Sequence, residues 1–212
     1  MATDITTTSP MVWEEPYTVQ IHVALADIEP PVWRRLTVPL HTTLAQLHHI
    51  LQAAMGWTNS HLHQFEIGGL RYGDAGLLNG DTFEGDARAF ESNDVRLRDF
   101  QFSAGDKPTF VYTYDFGNEW THTITLEKLL AVKPAPKAAA CIEGARCCPP
   151  EDVGGPPSYA EFLRVLLTPE PDEIEEQRHL KRWSGGKFDP ERFDLAKTDK
   201  AVRAALRKRQ RS

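Results

Sequence analysis

The sequence contains few cysteines and no long apolar segment. Three cysteines in 212 residues are too few, and odd in number, for the disulfide framework of a small secreted domain. No run approaches the roughly 18 consecutive apolar residues that a membrane-spanning helix needs. The first ten residues are rich in threonine and lack the basic and then apolar order of a signal peptide. We therefore expect a cytoplasmic protein with reduced thiols and no membrane partner.

Motifs that identify common enzyme classes are also absent, and positive charge is scarce outside the C-terminus. The sequence has no phosphate-binding loop, no dinucleotide fingerprint and no Gly-x-Ser-x-Gly nucleophile elbow. Residues 197–212 hold seven basic residues and one acidic residue, which leaves 17 basic against 29 acidic residues in the rest of the chain. Because of this excess of negative charge, the chain outside residues 197–212 repels the phosphate backbone of a nucleic acid. Nucleic-acid binding is therefore predicted to be unlikely except through the basic tail, whose alternative role is a solvated helix end.

What is present is the composition of an ordinary folded protein, with 41% hydrophobic and 25% charged residues. Alternating apolar residues predict one strand over 17–25 and a second over 32–38. Thr43 and Gln46 then form a capping box, which predicts the start of a helix. Gly56 follows the last residue of helical spacing and predicts its end.

The remaining chain is predicted from its glycine turns and capping residues. The elements are a hairpin around Gly68-Gly69, a surface loop over 74–94, a hairpin around Gly117-Asn118, a stiff connector over 133–140, a helix opened by a capping box at 158–161, and helices over 172–183 and 198–208. We expect an α+β fold in which an early helix packs on a mostly antiparallel sheet and the C-terminal third is helical. A single domain is expected over 15–208, with a flexible tail at 1–14 and a basic tail at 209–212.

The second hairpin carries the most distinctive polar side chains. With a two-residue turn at 117–118, Asp115 pairs with Trp120 across the hairpin. His122 then lies diagonal to Asp115 on the same face of the sheet, close enough for a carboxylate to orient an imidazole. Such a histidine can act as a general base or a metal ligand. The alternative is a buried polar pair that fixes the hairpin register.

Two histidines at alternate positions, His61 and His63, form the second candidate. On a strand they share one face and can chelate one metal ion, although half-buried histidines of the core show the same pattern. His48 and His49, on the first helix, are expected to face solvent or the rim of the sheet. Arg34 and Arg35, next to Trp33, form either a cationic patch or stems packed across the sheet with their charge at the rim, and we expect the packing.

All three cysteines fall within eight residues, at Cys141, Cys147 and Cys148. In a reducing compartment such a cluster indicates a metal site more than a disulfide. Zinc takes four ligands, so histidines or the nearby Glu151 and Asp152 would have to complete the set. The alternative is a Pro/Gly turn in which the thiols serve as small buried apolar groups.

Six stretches of the sequence are distinctive in combination. They are Pro30-Pro31-Val32-Trp33-Arg34-Arg35, Leu47-His48 through Met55-Gly56-Trp57, His61-Leu62-His63-Gln64-Phe65, Tyr114 through His122, Cys148 through Gly155, and Phe188 through Phe193. This combination, which extends over nearly the whole chain, resembles the plasmid pRiA4b ORF-3-like family. The resemblance implies one domain and little about function, because the members are largely uncharacterised. The chain departs from the family at Asn118, where Asp is usual, and at Val153, where Cys is frequent, and it has Cys147 in addition.

The residues of these stretches are mostly aromatic, glycine and proline, which shape a surface better than they transfer protons. We therefore interpret the chain as a non-catalytic module that binds a protein or a small molecule, with a structural zinc ion at the cysteines as an option. One alternative is a metal-dependent hydrolase, built from His61, His63, Asp115, His122 and Cys148 around one ion, with Glu151 as base. The other is a nucleic-acid-associated protein of a mobile element that acts through the basic tail.

Overall fold

One sheet of eight strands, with helices, makes up the part of the chain that the structure describes. The structure is a computed structural model, in which residues 17–78, 88–100, 107–132 and 136–206 are described. The elements, in chain order, are β1 Tyr17–Leu25, β2 Trp33–Pro39, α1 Leu44–Met55, β3 His63–Ile67, β4 Leu70–Gly73, α2 Ala75–Leu78, β5 Ala89–Glu91, β6 Thr109–Tyr114, β7 Trp120–Ala131, β8 Ala140–Ala145, α3 Pro156–Leu167, α4 Ile174–Trp183 and α5 Leu195–Ala204. The strand order is β5-β4-β3-β6-β7-β1-β2-β8, and only the β4–β5 pair is parallel among the named strands. The expected single-domain α+β fold with a mostly antiparallel sheet is confirmed.

The first strand and the first helix form where the apolar spacing predicts them. Val19, Ile21 and Val23 are fully buried in β1, because alternate side chains of a strand point to the same face. The capping box of α1 is present: the Thr43 hydroxyl accepts from the N–H of Gln46, whose side chain accepts from the N–H of Thr43. The leucines and Ile50 of α1 are fully buried in the same core as β1.

The hairpin between β6 and β7 differs from its prediction by one residue in register. Tyr114 pairs with Trp120, and Tyr112 pairs with His122. The turn therefore has five residues, because the carbonyl of Asp115 accepts from the N–H groups of Asn118 and Glu119, and its carboxylate accepts from the N–H of Gly117. The predicted pairing of Asp115 with Trp120 is wrong, and so is its diagonal placement beside His122.

Near its turn, the buried face of this hairpin carries aromatic side chains and one histidine. Tyr112 and Tyr114 of β6 lie on it with Trp120 and His122 of β7, and each of these four side chains is at most 2% exposed. A shift of one residue moves a whole strand face from solvent to core. The longer turn thus places Tyr112 and Tyr114 of β6 on the buried face, opposite His122 and Trp120, and leaves Asp115 in the turn.

The C-terminal third is helical as expected, with different boundaries. α3 begins at Pro156, after the N-cap Gly155, and thus two residues before the capping box predicted at 158–161. The earlier start follows because proline at the first position already fixes a helical φ. α4 confirms the predicted helix over 172–183, whereas α5 begins earlier than expected, at the cap Asp194. Strand β8 begins at Ala140, the last residue of the predicted connector. Among the described helices, none has the length and apolar character needed to cross a membrane.

Several sequence predictions fall partly or wholly outside the described residues. These concern the tails at 1–14 and 209–212, part of the surface loop over 74–94, and the start of the connector over 133–140. Nucleic-acid contact through the basic tail stays a prediction, because residues 207–212 lie outside the description.

Candidate functional site

Three loops meet around Tyr114 and Asp115, and we call this meeting point the loop junction. It consists of residues 57–62, the turn 115–119 and the loop 147–155. The Tyr114 hydroxyl donates to Glu151 Oε1 at 2.6 Å and accepts from the N–H of Ser60 at 2.8 Å. The other carboxylate oxygen of Glu151 accepts from the N–H and the hydroxyl of Thr58, both at 2.6 Å. One tyrosine and one carboxylate therefore connect residues 57–62 with the loop 147–155, and the turn 115–119 joins them through the N–H of Asp115, which donates to the carbonyl of Leu62 at 2.9 Å.

Aromatic packing forms the base of the loop junction. The indole N–H of Trp57 donates to the carbonyl of Pro149 at 3.0 Å. Its ring stacks on Tyr114, with centroids 5.2 Å apart, and meets the ring of His122 edge-on at 5.4 Å. Because water is excluded from these contacts, the polar groups above them are held in a fixed geometry.

His61 forms the exposed edge of the loop junction, beside two carboxylates. Its Nε2 lies 2.9 Å from Asp152 Oδ1 and 3.7 Å from Asp115 Oδ2. The hydrogen bond to Asp152, with smaller contributions from the charges of Asp115, Asp152 and Glu151, raises the pKa of His61 above its ordinary value. Both aspartates have positive φ angles, of 61° and 63°, which any residue other than glycine adopts at a cost.

The hydroxyl groups of the loop junction are not arranged for nucleophilic attack. The Thr58 hydroxyl uses its one proton on Glu151, so the Ser60 hydroxyl, 2.7 Å away, donates to Thr58. A serine nucleophile needs instead a base that accepts its proton. The polar groups of the loop junction thus bond mainly to one another.

The two other histidines of the predicted site are separated from His61. His63 stacks on His48 with ring centroids 3.5 Å apart and planes inclined by 4°, and burial lowers its pKa to about 4. His122 is fully buried, where its Nδ1–H donates to the carbonyls of Trp120 at 2.9 Å and Tyr112 at 3.2 Å. Burial lowers the pKa of His122 to about 4 as well. Both imidazoles are therefore neutral at physiological pH.

The cysteines lie beside a buried arginine. Arg34 is 3% exposed, and its guanidinium donates to the backbone carbonyls of Ala54, Trp33 and Ala145. The expectation that this charge lies at the rim of the sheet is wrong, because these three carbonyls replace its water. Cys141 and Cys148 are buried and Cys147 is half-buried, and burial raises the pKa of all three thiols.

The structure does not assemble the predicted metal sites. Across the described ranges, no three His, Cys, Asp or Glu side chains come close enough to hold one metal ion. The zinc set at Cys141, Cys147 and Cys148 is therefore not formed, and neither is the hydrolase arrangement around His61, His63, Asp115, His122, Cys148 and Glu151. For Cys141 and Cys148 the geometry favours the alternative of small buried apolar groups.

Sequence reasoning missed the burial of His48, which was expected to face solvent or the sheet rim. His48 accepts from the Tyr112 hydroxyl at 2.7 Å and donates to the side-chain oxygen of Asn59. Gln52 closes the ring of hydrogen bonds: its amide N–H donates to the Tyr112 hydroxyl, and its oxygen accepts from the N–H of Asn59. A signal was present, since His48 and Gln52 are four residues apart and therefore share one face of α1.

Comparisons with known proteins agree with this α+β architecture. The family described as Plasmid pRiA4b ORF-3-like protein matches residues 17–197. The uncharacterized protein y4hQ of Sinorhizobium fredii is 37% identical over 187 residues, which are 87% of this chain and 90% of that protein. A crystal structure of MM3350, a protein of unknown function from Methanosarcina mazei Go1, has a TM-score of 0.71 and 33% identity, and the match covers 85% of this chain and 96% of that one. The chain belongs to the plasmid pRiA4b ORF-3-like family.

Proposed function

We propose that the chain is a non-catalytic cytoplasmic interaction module, whose groove between α3 and α4 binds a segment of a partner protein. In that segment an apolar side chain is flanked by basic residues. The observation that carries this proposal is an exposed apolar groove with a volume of about 530 Å³. Its apolar walls include Phe162 and Val165 of α3 and Leu180 and Trp183 of α4.

Helix α4 leaves its apolar face without full cover. It has no buried residue, although an amphipathic helix of a globular protein normally buries its apolar stripe. Trp183 is 44% exposed and touches Phe162 edge-on, with ring centroids 5.9 Å apart. Exposed aromatic side chains in a groove are typical anchors of protein interfaces.

The charges around the groove favour a basic partner. Asp152, Glu161 and Glu176 line it together with His179, and within the described part of the chain neither lysine nor arginine lines it. Carboxylates at the edge of an apolar surface attract cations and set the orientation of a bound segment. The salt bridge of Glu161 to Arg164 reduces the attraction of Glu161 for a cation in the groove, so Glu176 is the carboxylate to test.

The experiment is a titration of fluorescent peptides that carry one tryptophan flanked by lysines or by glutamates. Fluorescence anisotropy should show binding of the lysine peptide only, weakened by added salt. The substitution Trp183→Ala should reduce affinity about tenfold or more, and Glu176→Lys should weaken the preference for the lysine peptide. Leu167→Ala is the matched control, because this residue is 60% exposed but lies outside the groove lining. Equal binding to the wild type and to Trp183→Ala would reject the groove as the docking site.

A further inference from the structure

A second cavity lies between α1, the β4–α2 connection and the residues that follow β5. Its volume is about 580 Å³, within the range of roughly 300–1,000 Å³ that small-molecule sites occupy. Polar and ionisable side chains dominate its walls, and no lysine or arginine is among the described residues that line it. It is separate from the α3–α4 groove, with which it shares no lining residue.

Two carboxylates in this cavity each keep one oxygen available. Asp74 Oδ1 accepts from the N–H of Leu77 at 3.1 Å, and Glu91 Oε1 accepts from the N–H of Ala75 at 3.0 Å. Neither carboxylate forms a salt bridge with any residue that the structure describes. A pair of unneutralised carboxylates in a concave site favours a cation.

Two further polar groups of the cavity wall have no partner. Ser92 is only 4% exposed, and within the described segments its hydroxyl makes no hydrogen bond, although its backbone N–H and C=O are both paired. His63 Nε2 is buried and equally unsatisfied. Buried polar groups are normally hydrogen-bonded, and an orphan calls for a ligand or a bound water. Because burial lowers the pKa of His63 to about 4, this ring adds no positive charge. His61, the lining histidine with a raised pKa, is hydrogen-bonded to Asp152, which is not one of the two cavity carboxylates.

We propose that this cavity binds a small primary amine in its ammonium form. An ammonium group has three N–H donors, and Asp74, Glu91 and Ser92 supply matching acceptors. Leu77 and Leu78 provide an apolar wall for the carbon chain. An organic cation fits better than a metal ion, since the described residues include no group of three side chains able to ligate one.

The experiment is isothermal titration calorimetry of the full chain with n-butylamine and 1,4-diaminobutane. n-Butanol and butyrate serve as neutral and acidic counterparts of the same length. The amines should bind, and the alcohol and the acid should not. Asp74→Asn and Glu91→Gln should each weaken amine binding about tenfold or more, because each removes one charge-assisted acceptor and keeps the side-chain shape. Ser92→Ala should weaken it by a smaller factor.

The control variant is Asp94→Asn, which changes an exposed carboxylate outside the cavity lining and should leave amine affinity unchanged. Thermal unfolding of each variant, together with peptide binding in the α3–α4 groove, shows whether the fold is retained. Equal binding of n-butanol and n-butylamine would overturn the proposal, as would unchanged amine affinity in folded Asp74→Asn and Glu91→Gln. Tight binding of Zn²⁺ with no binding of either amine would also overturn it and would identify a metal site.

Discussion

Acid should destabilise this protein through His122, whose imidazole is fully buried without a charged partner. Burial lowers the pKa of His122 to about 4, from an ordinary value of 6.5. Between these two pH values His122 is therefore protonated in the unfolded chain but not in the folded chain, so the free energy of unfolding rises with pH. Each unit of difference in pKa corresponds to about 1.4 kcal/mol. The full penalty, reached below pH 4, is about 3 kcal/mol, and about 2 kcal/mol of it is lost between pH 7 and pH 5.

The test compares the wild type with His122→Gln, which keeps an N–H donor but cannot take up a proton. Urea unfolding at pH 7, 6 and 5, followed by tryptophan fluorescence and circular dichroism, gives the free energy of unfolding of both proteins. The variant should be less stable at pH 7, because a packed core tolerates a change of shape poorly. The difference should shrink by about 2 kcal/mol on going to pH 5. Other titrating groups, such as His61 and His63, are common to both proteins and cancel. Parallel pH profiles would refute the reasoning and would mean that the protonated imidazole is accommodated in the fold.

Two further predictions concern the loop junction. Tyr114→Phe should lower the free energy of unfolding, measured with urea, by about 2–3 kcal/mol, because it leaves the Glu151 carboxylate and a backbone N–H without their shared partner. An unchanged unfolding midpoint would mean that water replaces the hydroxyl. Gly155→Ala should destabilise by about 1–3 kcal/mol, since its Cβ would lie 2.6 Å from the carbonyl oxygen of Asn118. Its matched control is Gly117→Ala, whose Cβ meets Asp115 Oδ1 at an ordinary 3.5 Å; equal effects of the two substitutions would contradict the steric explanation.

The sequence predicted those elements whose signals are local. The apolar alternation of β1 and the capping box of α1 act over a few residues, so their positions follow from composition and spacing. The register of β6–β7 could not be predicted in this way. Asp115 builds a longer turn with its own side chain, and it adopts a positive φ although it is not glycine. Strand β8 was missed because its hydrogen-bonding partner is β2, more than 100 residues earlier in the chain.

The residues of the candidate site could be predicted from the sequence, but the contacts between them could not. His61, Asp115 and Asp152 were singled out from the sequence and do come together. The polar link at the centre of the loop junction, from Tyr114 to Glu151, spans 37 residues and depends on how α3 follows β8, which no local pattern encodes. The burial of His48 and Arg34 likewise depends on tertiary packing that overrides the polarity of the side chain.

The loop junction lies against both proposed binding sites. The Tyr114 hydroxyl accepts from the N–H groups of Ser60 and His61, and these two residues form part of the amine cavity wall. Through Glu151 it also holds the loop whose next residues, 152–153, line the α3–α4 groove. A single, partly buried hydrogen-bond network thus contacts one wall of each site. Preorganised walls lower the entropy cost of binding. The polar groups of the distinctive motifs bond to one another, and in this way they fix the walls of the two proposed sites without filling them.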